Sequence, residues 1–310
     1  EGLAVSAFSR EDFEEARIEY GRLTELAPEQ VEHWLNLGIA LRRLNELADA
    51  LPCFVRAREI RPDSLHAHTH LAETAWDLKE FSTARATYEA AIAKWSDREE
   101  LTLGLSHLLD EMGLPEEAET VCVQYCARKT DKDQVWFRLG YLQSLRGAAE
   151  KSVESFEKAL GLRPEWPEAE VNASIALIAA GQLDSAEAKL TSLLGRQPDH
   201  LEATKGLATI ALTRNEDEKA LDVHARLIEL GEKTADVYYN CGVLSQRLER
   251  TDDAVRFYRE AIALRKDFPE ALLNLGHALK LIGEDDQARS LWIPALELDP
   301  ELSLNYFRRR

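Results

Sequence analysis

The sequence repeats every 34 residues from one end to the other, and no other feature limits its fold as tightly. A small residue recurs as Ala16, Ala50, Ala84, Ala118, Ser152, Ala186, Ala220, Ala254 and Ala288, without one insertion or deletion. Twelve residues before each stands another, in the series Ala4, Gly38, Ala72, Ser106, Gly140, Ser174, Ala208, Gly242 and Gly276. One step earlier the series is Leu3, Leu37, Leu71, Leu105, Leu139, Ala173, Leu207, Cys241 and Leu275. Four residues after the first series comes a mostly large side chain: Tyr20, Phe54, Tyr88, Cys122, Phe156, Leu190, His224, Tyr258 and Trp292. A fixed period of this length marks an array of supersecondary units, each burying its apolar face against its neighbours.

Close helix packing explains the alternation. Two antiparallel helices approach only where small side chains meet at the crossing, while bulky ones fill the gaps between crossings. Turn residues fall in phase with this. Asn45, Gly113, Gly147, Gly181, Asn215 and Gly283 stand seven residues after the small position of the first helix. Glycine and asparagine tolerate the left-handed backbone that ends a helix. Pro28, Pro62, Pro164, Pro198 and Pro300 close the second helix on the same ladder, and Pro167 and Pro269 suit the first turn of the next. The spacing predicts an all-α chain of helix pairs.

This pattern resembles the tetratricopeptide repeat (TPR) family, whose signature runs W-x-x-L-G-x-x-Y, then A-x-x-x-F-x-x-A, then P. Trp34, Leu37, Gly38, Leu41, Ala50, Phe54, Ala57 and Pro62 carry it nearly whole. Trp136, Leu139, Gly140, Phe156, Ala159 and Pro164 repeat it, as do Leu275, Gly276, Leu279, Ala288, Trp292, Ala295 and Pro300. The resemblance implies a right-handed α-solenoid of about nine 34-residue repeats. It also implies a single domain over 1–310, with a truncated repeat at 1–30 and full repeats starting near 31, 65, 99, 133, 167, 201, 235 and 269. A partial helix over 303–310, begun by Tyr306 and Phe307, reads as a short cap or as the start of more protein. Both ends fall inside a repeat, so a fragment of something longer is expected. Pro52 and Pro294 inside second helices should each remove a hydrogen bond and bend the helix. The repeats from Glu99 and Leu201 lack both the tryptophan and the closing proline, and irregular curvature is expected there.

A formal charge of −18 tempts one to expect a basic partner. Yet Glu14/Glu15, Glu116/Glu117, Asp217/Glu218, Asp252/Asp253 and Asp285/Asp286 all fall in the first turn of a second helix, where they complement its dipole. A dedicated acidic docking surface is the competing reading. Nucleic acid is disfavoured, because phosphate contacts need a basic stripe, and Arg308-Arg309-Arg310 is too short to supply one. No apolar run reaches a membrane span. Cys53, Cys122, Cys126 and Cys241 form no C-x-x-C pair and read as buried free thiols, although Cys122 and Cys126, one turn apart, could make a disulfide or half a metal site. Those thiols fit a reducing, cytoplasmic compartment, with a processed periplasmic form as the alternative.

No nucleotide-binding loop, nucleophile elbow or zinc-protease signature is present, so neither catalysis nor a cofactor is expected. His66, His70, Glu73 and Asp77 share one helical face that could hold a zinc or nickel ion, or could simply be a polar patch. Asn172-Ala-Ser174 matches a glycosylation sequon, but Ser174 takes a packing position. The resemblance implies an inner groove lined by positions 2, 5, 6, 9, 12 and 13 of each first helix. Asn36, Asn172, Asn240 and Asn274 stand at position 6, where an inward amide could hold an extended peptide, as a similar ladder does in O-linked N-acetylglucosamine transferases. His70, Gly104, Arg138 and Gly206 interrupt the ladder, and helix filler is the bland alternative. Phe137, Tyr141, Val171, Ile175, Ile178, Leu212, Tyr239 and Val243 supply apolar groove positions that either bind a ligand or pack between first helices. The carboxylate clamp of chaperone-tail receptors is not matched: Lys205, Thr209, Asn240, Glu270 and Asn274 keep two of five residues and place an acid where a cation is needed. The expectation is a protein-interaction scaffold holding a peptide or partner protein in its groove. The alternative is the substrate-recruiting arm of a larger enzyme of glycosyltransferase or sulfotransferase type. Self-association through open repeat ends is a third expectation.

Overall fold

The computed structural model describes residues 1–302, so the expected helix over 303–310 lies outside the described residues. Eighteen α-helices and no strand make up the described chain. The first helices of the pairs are α1 (Gly2–Ser9), α3 (Val31–Arg43), α5 (Leu65–Asp77), α7 (Glu99–Glu111), α9 (Asp133–Leu145), α11 (Pro167–Ala179), α13 (Leu201–Thr213), α15 (Ala235–Arg247) and α17 (Pro269–Leu281). Their partners are α2 (Phe13–Leu26), α4 (Leu47–Ile60), α6 (Phe81–Lys94), α8 (Pro115–Cys126), α10 (Ala149–Leu162), α12 (Leu183–Arg196), α14 (Asp217–Glu229), α16 (Thr251–Leu264) and α18 (Asp285–Leu298). From α3 onward every first helix begins 34 residues after the last.

Packing divides the chain into two compact units, Glu1–Glu165 and a second beginning at Trp166. The 34-residue step runs through this boundary unchanged, so nothing in the spacing marks it. Within each unit a helix packs on the next in sequence. First helices also touch first helices: α3 on α5, α5 on α7 and α7 on α9 in the first unit, α11 on α13 and α15 on α17 in the second. They therefore share one side of their stack, and the second helices take the other.

The bulky residue of each second helix sets these distances. Tyr258 is fully buried, and a Cβ added to Gly242, sixteen residues earlier, would lie 2.5 Å from its ring. On its other side, sixteen residues later, Asn274 of the next pair lies near its hydroxyl. Phe54 repeats the arrangement: Gly38 leaves room for its ring on one side, and His70 stacks on it at 5.3 Å on the other. Each such ring is gripped by its own first helix and by the next one. Position 4 adds a tie to the connector, since Trp34 and Trp136 donate to the carbonyls of Pro28 and Thr130, six residues back.

Left-handed backbone recurs at every pair. Asn45, Gly113, Gly147, Gly181, Asn215 and Gly283 all have positive φ, as the ladder of turn residues leads one to expect. Glu11, Lys79 and Glu249 take the same conformation at the same step, with φ between 59° and 62°. Turn geometry thus overrides residue preference where the neighbouring helices dictate it. Second helices end at the same phase except α8 and α14, which stop at Cys126 and Glu229. Both their pairs lack the tryptophan and the closing proline, but so do the pairs from Leu65 and Ala235, whose second helices keep phase. The helices α4 and α18 continue without interruption through Pro52 and Pro294. Acidic first turns occur in α2, α8, α14, α16 and α18. Several of these acids also pair across repeats, as Glu117 does with Arg85, and Glu218 with Arg250.

Two substitutions should separate packing from backbone strain. Gly242→Ala forces a methyl group into the fully buried Tyr258 ring, whose hydroxyl is held by Gln246 at 2.9 Å, and should cost about 1–3 kcal/mol. Glu249→Asn places a tolerant residue at a φ of 59° and should raise stability by up to about 1 kcal/mol. Thermal unfolding followed by circular dichroism reads both, and a neutral Gly242→Ala would contradict the grip described above.

Candidate binding cleft

In the second unit the first helices α11 and α13 enclose two adjoining clefts of about 550 and 210 Å³. Both are lined by Val171, Ile175 and Glu202. Pro167 opens α11 at its first position, where a missing N–H is harmless, and His200 caps α13 by accepting from Ala203 N through Nδ1. These starts hold the two helices so that Val171, Ile175 and Ile178 point along one side of the clefts and Lys205, Gly206 and Thr209 along the other. Ile175 is 50% exposed, a large aliphatic side chain left facing water beside buried Val171. Leu190 closes the floor, and a Cβ on Gly206 would meet it at 2.6 Å.

The rim is polar and mostly committed. Asn172 Nδ2 donates to Glu168 O of its own helix at 2.8 Å. Lys205 Nζ lies 3.2 Å from Glu202 and 3.4 Å from Glu232. Thr209 donates to Lys205 O, and Ser174 to Glu170 O. Glu168 and Glu202 stand exposed in the first turns of α11 and α13. Both occupy position 2, one of the expected groove positions. Neither acid stands out in the sequence, because a carboxylate in the first turn of any helix also answers that helix's dipole.

Among the sequence-expected groove residues, Val171, Asn172 and Ile175 line this cleft. Tyr239, Asn240, Val243 and Asn274 lie on α15 and α17 of the same unit, engaged in packing. Tyr239 sits 4.9 Å from the Phe268 ring and accepts from Asn274 Nδ2 at 3.2 Å, while Val243 packs on the cluster around Tyr258. Asn36, Phe137 and Tyr141 belong to the first unit: Asn36 hydrogen-bonds Tyr20, Phe137 meets Phe156 edge-on at 5.5 Å, and Tyr141 lies under the Arg138 guanidinium at 5.5 Å.

The asparagine ladder follows an internal rule. Asn240 turns to the polar ring sixteen residues earlier, His224, and Asn36 and Asn274 lie near Tyr20 and Tyr258 at the same spacing, Asn274 donating to Tyr239. Asn172, whose counterpart sixteen residues back is the apolar Phe156, turns to its own helix instead. Arg138, with Cys122 and no ring sixteen residues back, departs from the rule. It is 6% exposed, donates to Ser106 Oγ and O, and pairs with Asp110 at 2.8 Å.

The His66/His70/Glu73 candidate for a metal does not assemble. Arg42 takes Glu73 at 2.6 Å and Asp77 at 2.9 Å, and His70 stacks on Phe54. No group of three His, Cys, Asp or Glu able to hold a metal ion occurs among the described residues. The four cysteines are free and buried, with Cys122 and Cys126 unbridged. Burial pushes the Cys53 and Cys122 thiols up to about 11 and those of Cys126 and Cys241 up to about 12. No described helix is long and apolar enough to cross a membrane.

Tetratricopeptide repeat profiles match residues 2–64, 35–99, 133–165, 177–239 and 237–270. Human protein O-mannosyl-transferase TMTC3 is 26% identical over 262 residues, covering 78% of this chain and 28% of that protein. Human protein O-mannosyl-transferase TMTC1 is 25% identical over 177 residues, covering 56% and 20%. The chain thus spans less than a third of the length of either relative. A tetratricopeptide repeat protein from Parabacteroides merdae superposes with a TM-score of 0.55 at 15% identity, over 80% of this chain and 98% of that one. MamA does so with a TM-score of 0.50 at 22% identity, over 55% and 93%. At such identities these structures show the fold alone.

Two consequences can be measured. Burial holds the His224 imidazole below its ordinary range. The Nδ1 atom must donate to the Ala220 carbonyl, which leaves Nε2 to accept from Asn240. The fold therefore favours neutral His224. Its contribution is complete above the unfolded pKa of about 6.5 and is lost as pH falls from there through the lowered folded value. His224→Tyr, which copies the Tyr20–Asn36 pair, should flatten the drop in melting temperature between pH 7.5 and 5.5. The thiols should resist iodoacetamide at pH 8 and react fully in urea; labelling of the folded chain at the rate of a free cysteine would show that they are not enclosed.

Proposed function

The chain belongs to the tetratricopeptide repeat family, and on that premise we propose that it is a protein-interaction scaffold that takes a segment of a partner protein on its first-helix side, in the α11–α13 cleft. The observation that carries this reading is Ile175, half exposed on the wall of a cleft that the chain's own core does not fill. Exposed aliphatic surface set in a concavity and rimmed by polar groups is what a protein anchor side chain fills. The rest of the expected groove plays a different part in this proposal. Tyr239, Asn240 and Asn274 hold the stack together, and Phe137 does so in the first unit, where Tyr141 is exposed beside Arg138 of its own helix. The binding energy then comes from a few residues of α11 and α13, and not from an asparagine ladder along the whole array.

A second reading is favoured by the relatives. Both O-mannosyl-transferases are far longer than the stretch they share with this chain. The array would then present a protein substrate to a catalytic domain elsewhere in the same polypeptide, using the same cleft. The coding sequence on either side of these residues decides between the two readings, because a recruiting arm requires a transferase domain in frame.

The cleft itself is tested by selecting a phage-displayed random peptide library on the full chain. Ile175→Asp should weaken the selected peptides by about tenfold or more, since a desolvated anchor contact is worth 2 kcal/mol or above. Its exposure means the helical circular dichroism should not change. Equal binding to both proteins would move the site off α11.

A further inference from the structure

The rim of the α11–α13 cleft carries a charge pattern that narrows the partner. This inference rests on the cleft being the binding site. Glu168 and Glu202 are exposed on the two helices that form it. Among the described residues the one lysine or arginine lining either cleft, Lys205, is held between Glu202 and Glu232 at 3.2 and 3.4 Å. Two carboxylates therefore hold the one ammonium, Glu168 adds a further carboxylate to the rim, and the mouth is net negative. Two features that attract anions elsewhere are closed here. The α13 N-terminus is capped by His200 Nδ1, and Glu202 sits in its first turn, so the positive end of that helix is already answered. The α11 N-terminus begins with Pro167, which has no N–H to offer, and carries Glu168 and Glu170 in its first turn, Glu170 being occupied by Arg196. An acidic tail would meet like charge at the start of both helices.

Beneath that rim the walls are aliphatic: Val171, Ile175, Ile178 and Leu190. We propose that the cleft selects basic amphipathic protein segments, in which an aliphatic or aromatic anchor enters between α11 and α13 while flanking lysine or arginine side chains pair with Glu168 and Glu202. The apolar anchor supplies affinity, and the carboxylates supply choice by repelling acidic segments and attracting basic ones. The placement of the two acids fits this division: both stand at position 2 of their helices, one repeat apart, so they can flank a single bound segment.

Three pools of fluorescein-labelled twelve-residue peptides test this against the full chain by fluorescence anisotropy. Each pool has the same central Leu/Ile/Phe/Tyr mixture, with flanks of Lys/Arg, Gln/Ser or Asp/Glu. The basic pool should bind about tenfold more tightly than the neutral pool at low salt, and the acidic pool should not bind. The preference should shrink at high salt and disappear in Glu168→Gln/Glu202→Gln, a change that leaves Lys205 its Glu232 partner. Ile175→Asp should abolish binding of both the basic and neutral pools. Basic-pool binding that survives Ile175→Asp would trace to the overall charge of −18 and overturn the proposal. So would a basic preference unchanged in the double glutamine variant. If the neutral and basic pools bind equally and both depend on Ile175, the charge selection is wrong and the cleft stands. If no pool binds, the cleft reading fails with it.

Discussion

The grip of two first helices on one buried ring is the contact from which the rest of this structure follows. A ring such as Tyr258 needs a slim residue sixteen positions before it, because any Cβ on Gly242 would overlap it. It also needs a partner sixteen positions after it, on the first helix of the next pair. The same side chain thus fixes the spacing inside one helix pair and the seating of the following pair. Close-packed interiors tolerate little change in volume, so both distances are set narrowly. The 34-residue step is what keeps this arithmetic true down the sequence.

Other features fall into place around that contact. The left-handed turn comes between the two residues that must meet, which explains why Glu11, Lys79 and Glu249 accept a conformation that glycine and asparagine take more easily. Within a unit, position 6 of a first helix can meet the ring of the preceding pair, and its chemistry then answers that ring. An amide serves a hydroxyl or imidazole, as with Asn36 and Asn240, while His70 stacks on the phenyl group of Phe54. At Gly104 and Gly206 the absence of a side chain makes room for Tyr88 and Leu190. Even the acids serve twice, once in the first turn of a helix and again in pairs across repeats.

This division of labour decides how much could be read in advance. Helix starts, turn positions and the small-to-large alternation were visible because they recur at fixed phase, and periodic signals survive the loss of any one member. The asparagines were visible too, but their role was not. A position-6 amide looks the same whether it faces a peptide or a neighbouring ring, and the distinction lies sixteen residues away in a different helix. Tyr239 carries the same ambiguity: a groove position can also stack on Phe268. Glu168 and Glu202 were hidden by having a sufficient structural explanation at helix N-termini. The division at Trp166 left no trace, since the period crosses it in step.

Because these rings close on partners within one repeat length along the chain, no long stretch of chain must be brought back across the molecule for a pair to form. Loop closure costs little at such short separations, and assembly can begin at any pair and spread to its neighbours. The same arithmetic bears on ancestry. Duplicating or deleting one whole 34-residue module inside a unit leaves each remaining ring with a slim residue behind and a partner ahead, so length can drift in steps of one module while the cleft-bearing helices keep their shape.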